Sequence, residues 1–168
     1  MEKQRYYKFC ELCAKGLFPL TLLLCTAMVG VAIAHVVMRY IFNNALTWSE
    51  EFLRFAMVWF ALLSAALLHH KKGHVGILIF RDMLPNRLRN FCIRSVPILT
   101  FIVAVSVFIH GVQLLIKTRG QYTPALHIPV GVPYAAIPVS FFFMALFAFA
   151  QILEITMGKE LPERIKYS

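Results

Sequence analysis

Long apolar runs, broken by short charged clusters, make up most of this 168-residue chain. No Asp, Glu, Lys or Arg occurs at 16–38, 55–70, 95–116 or 120–153. A helix needs roughly 20 apolar residues to cross the hydrocarbon layer of a bilayer. Within that layer every backbone N–H and C=O must be bonded inside the protein, which favours helices. The pattern predicts an all-α integral membrane fold. Four transmembrane helices are placed near 17–42, 48–70, 87–117 and 133–157, in one membrane domain covering 1–168. The second charge-free run is short. Thr47-Trp48-Ser49-Glu50 reads as a capping box that starts the helix earlier and brings it to spanning length. Glu50 and Arg54 are spaced to pair along that helix. Pro133 suits a first helical turn, and Pro138 is expected to bend the fourth helix. The third helix is longer than a bilayer requires, so it is expected to tilt or protrude.

Composition supports the same class: 60% of residues are hydrophobic and the mean hydropathy is +0.70. The net charge of +9 reflects where the basic residues fall. Thirteen of the 17 Lys and Arg lie before residue 16, between 71 and 94, or after 158. The other four are Arg39, Arg54, Lys117 and Arg119. Cytoplasmic connections collect Lys and Arg, so both termini are expected in the cytoplasm. Topology and contact with anionic lipid then account for the charge, and nucleic acid is not an expected partner. Ala32-Ile33-Ala34 resembles a signal-peptide cleavage site, but the apolar stretch continues through Ile41 and Phe42, so the first span is read as a permanent helix. Residues 74–84 are apolar but too short to cross, and Pro85 follows them. They are expected to form a short helix lying in the cytoplasmic interface.

Three groups of residues carry candidate chemistry. Cys10 and Cys13 form a C-x-x-C, the spacing of a redox pair or half a zinc site. The N-terminal segment supplies no His for zinc, and the predicted cytoplasmic side keeps thiols reduced. A membrane thiol oxidase remains one alternative. His35 and His110 lie at similar predicted depth near one membrane face, where a facing pair would suit a b-type haem and an electron-transfer subunit. His69, His70 and His74 are read as headgroup-level residues. The third group flanks one short connection: Arg39-Tyr40 closes helix one, and Trp48-Ser49-Glu50-Glu51 with Arg54 opens helix two. A network pairing Arg39 with Glu51 and Arg54 with Glu50 would neutralise charges that are costly inside a membrane. No acidic residue lies near a midplane and no helix has a Gly-rich broken centre, so the chain alone is a poor transporter and a better partner subunit.

These motifs resemble the small membrane subunit of tripartite ATP-independent periplasmic (TRAP) transporters, the DctQ-type family. The resemblance runs through Arg39-Tyr40, Trp48-Ser49-Glu50-Glu51, Arg54, Trp59 and Gly73-His74. It continues through Thr123-Pro124-Ala125-Leu126-His127-Ile128-Pro129, Tyr134 and Pro138. The Cys10–Cys13 pair is not part of the pattern. The resemblance implies a sodium-driven importer of an organic-acid anion, such as a C4-dicarboxylate or sialic acid, in the bacterial inner membrane. A large membrane subunit would carry the substrate and sodium sites, and a soluble periplasmic protein would deliver the substrate. The small subunit would brace the static part of the large one and help to dock the binding protein. It would hold no cofactor, metal or catalytic residue. Arg39, Tyr40, Trp48, Glu50, Glu51, Arg54, Trp59, His74, Pro124, Pro129 and Pro138 are its structural and interface candidates.

Overall fold

The computed structural model describes residues 2–44, 46–70 and 86–156. The expected interfacial segment 74–84, with His74, lies outside these residues. The described chain forms α1 (Glu2–Tyr40), α2 (Thr47–His70), α3 (Asn86–Lys117), the single turn α4 (Gly131–Tyr134) and α5 (Ala136–Thr156). Four stretches are long and apolar enough to cross a membrane: Phe9–Tyr40, Thr47–His70, Arg94–Lys117 and Gly131–Thr156. The chain is therefore an all-α, multi-pass membrane protein.

Two boundaries differ from the sequence reading. Helix one starts at Glu2 instead of near residue 17. Its 39 residues extend about 58 Å at 1.5 Å each, roughly twice the hydrocarbon thickness. The charged first part stays helical because Tyr6, Cys10, Ala14 and Leu17 recur along one stripe that packs onto α2 and α5. Opposite that stripe, Glu11 pairs with Lys15 at 2.9 Å, one turn on. The fourth span is divided at Ala135 into α4 and α5. Pro138 has no N–H to offer the Tyr134 carbonyl and its ring crowds that carbonyl, so the ladder is interrupted there. Bonds from Ala135 N to Gly131 O (2.8 Å) and from Val139 N to Ala135 O (3.2 Å) carry the chain across the junction.

The long helices form an open row in the order α1, α2, α5, α3. Among the described residues, α3 touches neither α1 nor α2. The outer members of the row keep wide apolar surfaces uncovered, including Leu22, Leu23 and Ile33 on α1 and Leu99, Ile102 and Ile109 on α3. The core sits where α1 begins and α2 and α5 end. It combines Cys10, Ala14 and Leu17 with Leu63, Ala66 and Leu67 of α2 and Phe147 and Ala150 of α5. Tyr6 closes this end: its hydroxyl donates to the Leu146 carbonyl at 3.2 Å and its ring meets Phe149 edge-on. His69, at the end of α2, is buried against α5, and its carbonyl accepts from Gln151 Nε2 at 2.8 Å.

The α3–α5 contact depends on a glycine. A Cβ on Gly111 would stand 3.1 Å from Ile137 Cγ2 and Pro138 Cδ, and 3.3 Å from the Pro138 nitrogen. Backbones approach this closely in membranes only over small residues. Beside the contact, Ser106, His110, Leu114 and Ile137 line an open apolar groove of about 270 Å³.

Candidate functional site

At the opposite end from the core, α1 turns into α2 and α3 turns into α4. The first connection leaves α1 through bonds from Ile41 N to Val37 O (2.9 Å) and Asn44 N to Met38 O (3.0 Å), with Asn43 at φ 51°. Asn tolerates this left-handed conformation better than most residues. The expected capping box does not form, because Thr47 is already the first helical residue. Ser49 does the local work instead. Its buried hydroxyl donates to the Leu46 carbonyl at 2.7 Å. The same hydroxyl meets His35 Nδ1, which joins α1 to α2.

Glu51 reaches the second connection. Its Oε2 accepts from the backbone N–H groups of Ala125 (3.0 Å) and Leu126 (2.7 Å). The loop satisfies its remaining donors itself. Thr123 N bonds Ile128 O at 2.9 Å, His127 N bonds Thr123 O at 3.2 Å, and Val130 N bonds Gln121 O at 2.9 Å. Ile128 N bonds the Thr123 hydroxyl at 3.2 Å. Pro124 and Pro129 have no N–H to place. From Thr123 to Val130 every backbone donor thus has a partner, and Glu51 is the partner of the two that the loop leaves over. The ordered motif noted in the sequence is one hydrogen-bonded object built from two distant segments.

This geometry revises the expected charge network. Among the described residues, Glu51 pairs with backbone and not with Arg39, and no ion pair joins Glu50 to Arg54. Arg39, Tyr40, Trp48, Glu50 and Arg54 are all exposed, as are Pro124 and Pro129 of the loop. Trp48 contacts Phe52 edge-on. Trp59, a structural or interface candidate from the sequence, donates its indole N–H to the Val132 carbonyl at 3.2 Å and ties α2 to α4. Pro138 lies buried under the α3 contact.

Neither alternative chemistry finds its geometry. His35 and His110 stand on α1 and α3, which do not touch among the described residues. His110 Nδ1 is held by the Ser106 carbonyl of its own helix at 2.7 Å. A shared haem needs two facing rings. Cys10 is fully buried in the core, and Cys10 and Cys13 are both free thiols. A disulfide catalyst needs an accessible thiolate. The sequence reading missed Ser49 and the loop amides. The pairing of the second with Glu51 spans 74 and 75 residues, and no local spacing in the sequence marks it.

Several known proteins are similar to this chain in sequence. A putative TRAP transporter small permease protein of Haemophilus influenzae is 27% identical over 146 residues, covering 85% of this chain and 88% of that protein. The sialic acid TRAP transporter permease protein SiaT of Haemophilus influenzae is 29% identical over 135 residues, or 79% of this chain. The aligned part is 22% of SiaT's length. The C4-dicarboxylate TRAP transporter small permease protein DctQ of Vibrio cholerae is 33% identical over 63 residues, 38% of this chain and 27% of that protein. Residues 28–157, which hold the Ser49 and Glu51 constellation but not Cys10 and Cys13, match the model of the DctQ component, and the chain belongs to this family of tripartite ATP-independent periplasmic transporters.

Proposed function

We propose that this small permease subunit braces the large membrane subunit of a sodium-coupled importer for an organic-acid anion. Both termini face the cytoplasm of a bacterial cell, and the end carrying Glu51 faces the periplasm. The soluble binding protein brings substrate to that end. Sodium and substrate are held by the large subunit, and this chain contributes no cofactor site and no catalysis. The transported anion belongs to the range of organic acids named among its relatives, which includes sialic acid, C4-dicarboxylates and isethionate.

The observation that carries the bracing role is the open row of helices. A chain that works alone in a membrane gains by closing its helices around one another. Here α1 and α3 stand apart and leave broad apolar flanks. Such flanks suit attachment to a second membrane protein, where helices associate through packing and sparse polar contacts. The length of α1 supports the same reading, because a helix of this length enlarges the surface offered to a partner.

The test is reconstitution of the large subunit into liposomes, with and without this chain, in the presence of the binding protein. Sodium-driven uptake is expected only with both membrane subunits. Full uptake from the large subunit alone would end the bracing hypothesis, and so would substrate binding to this chain by itself.

A further inference from the structure

We propose that Glu51 is a positioning residue that holds the 121–130 loop in the shape on which an acidic face of the soluble binding protein docks. The proposal rests on the transport reading above and extends it to a surface and a residue.

The location of the loop comes first. Irregular backbone is not exposed to lipid within the hydrocarbon layer. Residues 121–130 are irregular, and Gln121, Tyr122, Pro124, Ala125 and His127 are exposed. This surface therefore faces water or protein and not lipid, which makes it a docking surface for protein, unlike the lipid-compatible apolar flanks of α1 and α3.

The loop is also held in one shape. Its ends are joined by the bridge between Tyr122 and Pro129, and its turn by the bond from His127 to Thr123. His127 adopts φ 50°, a conformation that a side-chain-bearing residue keeps only when its surroundings hold it. The carboxylate of Glu51 fixes the apex through two consecutive amides, across a separation of 74 and 75 residues. A loop ordered before its partner arrives does not lose that freedom on binding, which raises affinity without adding a contact.

Charge identifies the partner's chemistry. Arg39, Arg54, Lys117 and Arg119 at this end are exposed. Of the two carboxylates there, Glu50 is exposed and Glu51 is engaged by the loop amides. Four exposed basic side chains against one exposed carboxylate make this end of the protein basic, and it complements an acidic protein face. Such complementarity mainly speeds encounter and weakens with salt.

The experiment uses the reconstituted two-subunit complex and titrates the binding protein while following uptake. Glu51→Ala is expected to raise the half-saturating concentration of binding protein tenfold or more, with the rate at saturation retained. Glu51→Gln keeps an acceptor and is expected to restore most of the loss. Tyr122→Ser and Arg119→Glu change only exposed side chains, so they test the surface even if Glu51→Ala fails to assemble. Both are expected to raise half-saturation, and higher salt is expected to do so for the unaltered complex. Unchanged half-saturation in Tyr122→Ser and Arg119→Glu would overturn the proposal. A Glu51→Ala complex that assembles but loses only its rate at saturation would overturn it too. Uptake by the unaltered complex in the same assay separates this failure from failure of the transport reading.

Discussion

Glu51 and Leu126 are 75 positions apart in the chain, yet a carboxylate oxygen of the first accepts the backbone N–H of the second at 2.7 Å. The same oxygen accepts from Ala125, so one side chain on α2 completes the hydrogen bonding of a loop that begins after α3. Without it, two neighbouring donors would have to find water or remain unpaired.

Removing that oxygen should loosen the loop locally. A charged acceptor is worth about 1.5–3 kcal/mol where water is excluded, and less at a half-exposed site such as this. Glu51→Ala is therefore expected to speed amide hydrogen exchange at Ala125 and Leu126 by about tenfold, corresponding to roughly 1.4 kcal/mol. The amides of Thr123 and Val130 bond within the loop and should change less. Uniform acceleration across all four would mean that Glu51 supports the whole end of the protein.

Substitution of Gly111 should open the contact between α3 and α5. Ile137 Cγ2 can move aside, but the Pro138 nitrogen 3.3 Å from the added Cβ belongs to a constrained backbone. Gly111→Ala is expected to cost about 1–3 kcal/mol, the usual range for overpacking, and Gly111→Leu more. Thermal unfolding in detergent measures the order. Equal melting temperatures for all three proteins would show that α3 is free to shift.

Thiol reactivity should divide the N-terminal pair. Cys10 is fully buried against α2 and α5, whereas Cys13 is partly exposed one turn further on. A membrane-permeant maleimide is expected to modify Cys13 faster than Cys10, as read by mass spectrometry of the folded protein. Cys13→Ser should leave uptake unchanged, because nothing in the proposed role uses a thiol. Loss of uptake would revive a redox function.

Orientation has its own test. With cytoplasmic termini, a membrane-impermeant maleimide added to intact cells whose outer membrane is permeabilised should label Gln121→Cys and spare Lys159→Cys. The opposite pattern would put the Glu51 end in the cytoplasm and remove the binding protein as its partner.

The sequence by itself determined the membrane class and the four spans, because an apolar run without charge has few stable conformations other than a helix once water is excluded. It also placed the limits of α2 and α3 closely, since Thr47, His70 and Lys117 stand where apolar runs meet polar residues. The motif order was equally legible, and the family match includes it. The row α1, α2, α5, α3 was not legible, because helices that are apolar on every side carry no marked face to say which neighbour each will meet. The start of α1 at Glu2 was hidden for a related reason: its polar first turns are held by Tyr6 and Cys10 packing onto distant parts of the chain. Glu51 is the clearest case. Local spacing and charge pointed to Arg39, whereas the tertiary structure brought up two backbone donors that lacked any other acceptor. An exposed arginine can be hydrated where it stands and gains little from an ion pair, whereas the two loop amides have no acceptor within their own loop and meet the Glu51 carboxylate.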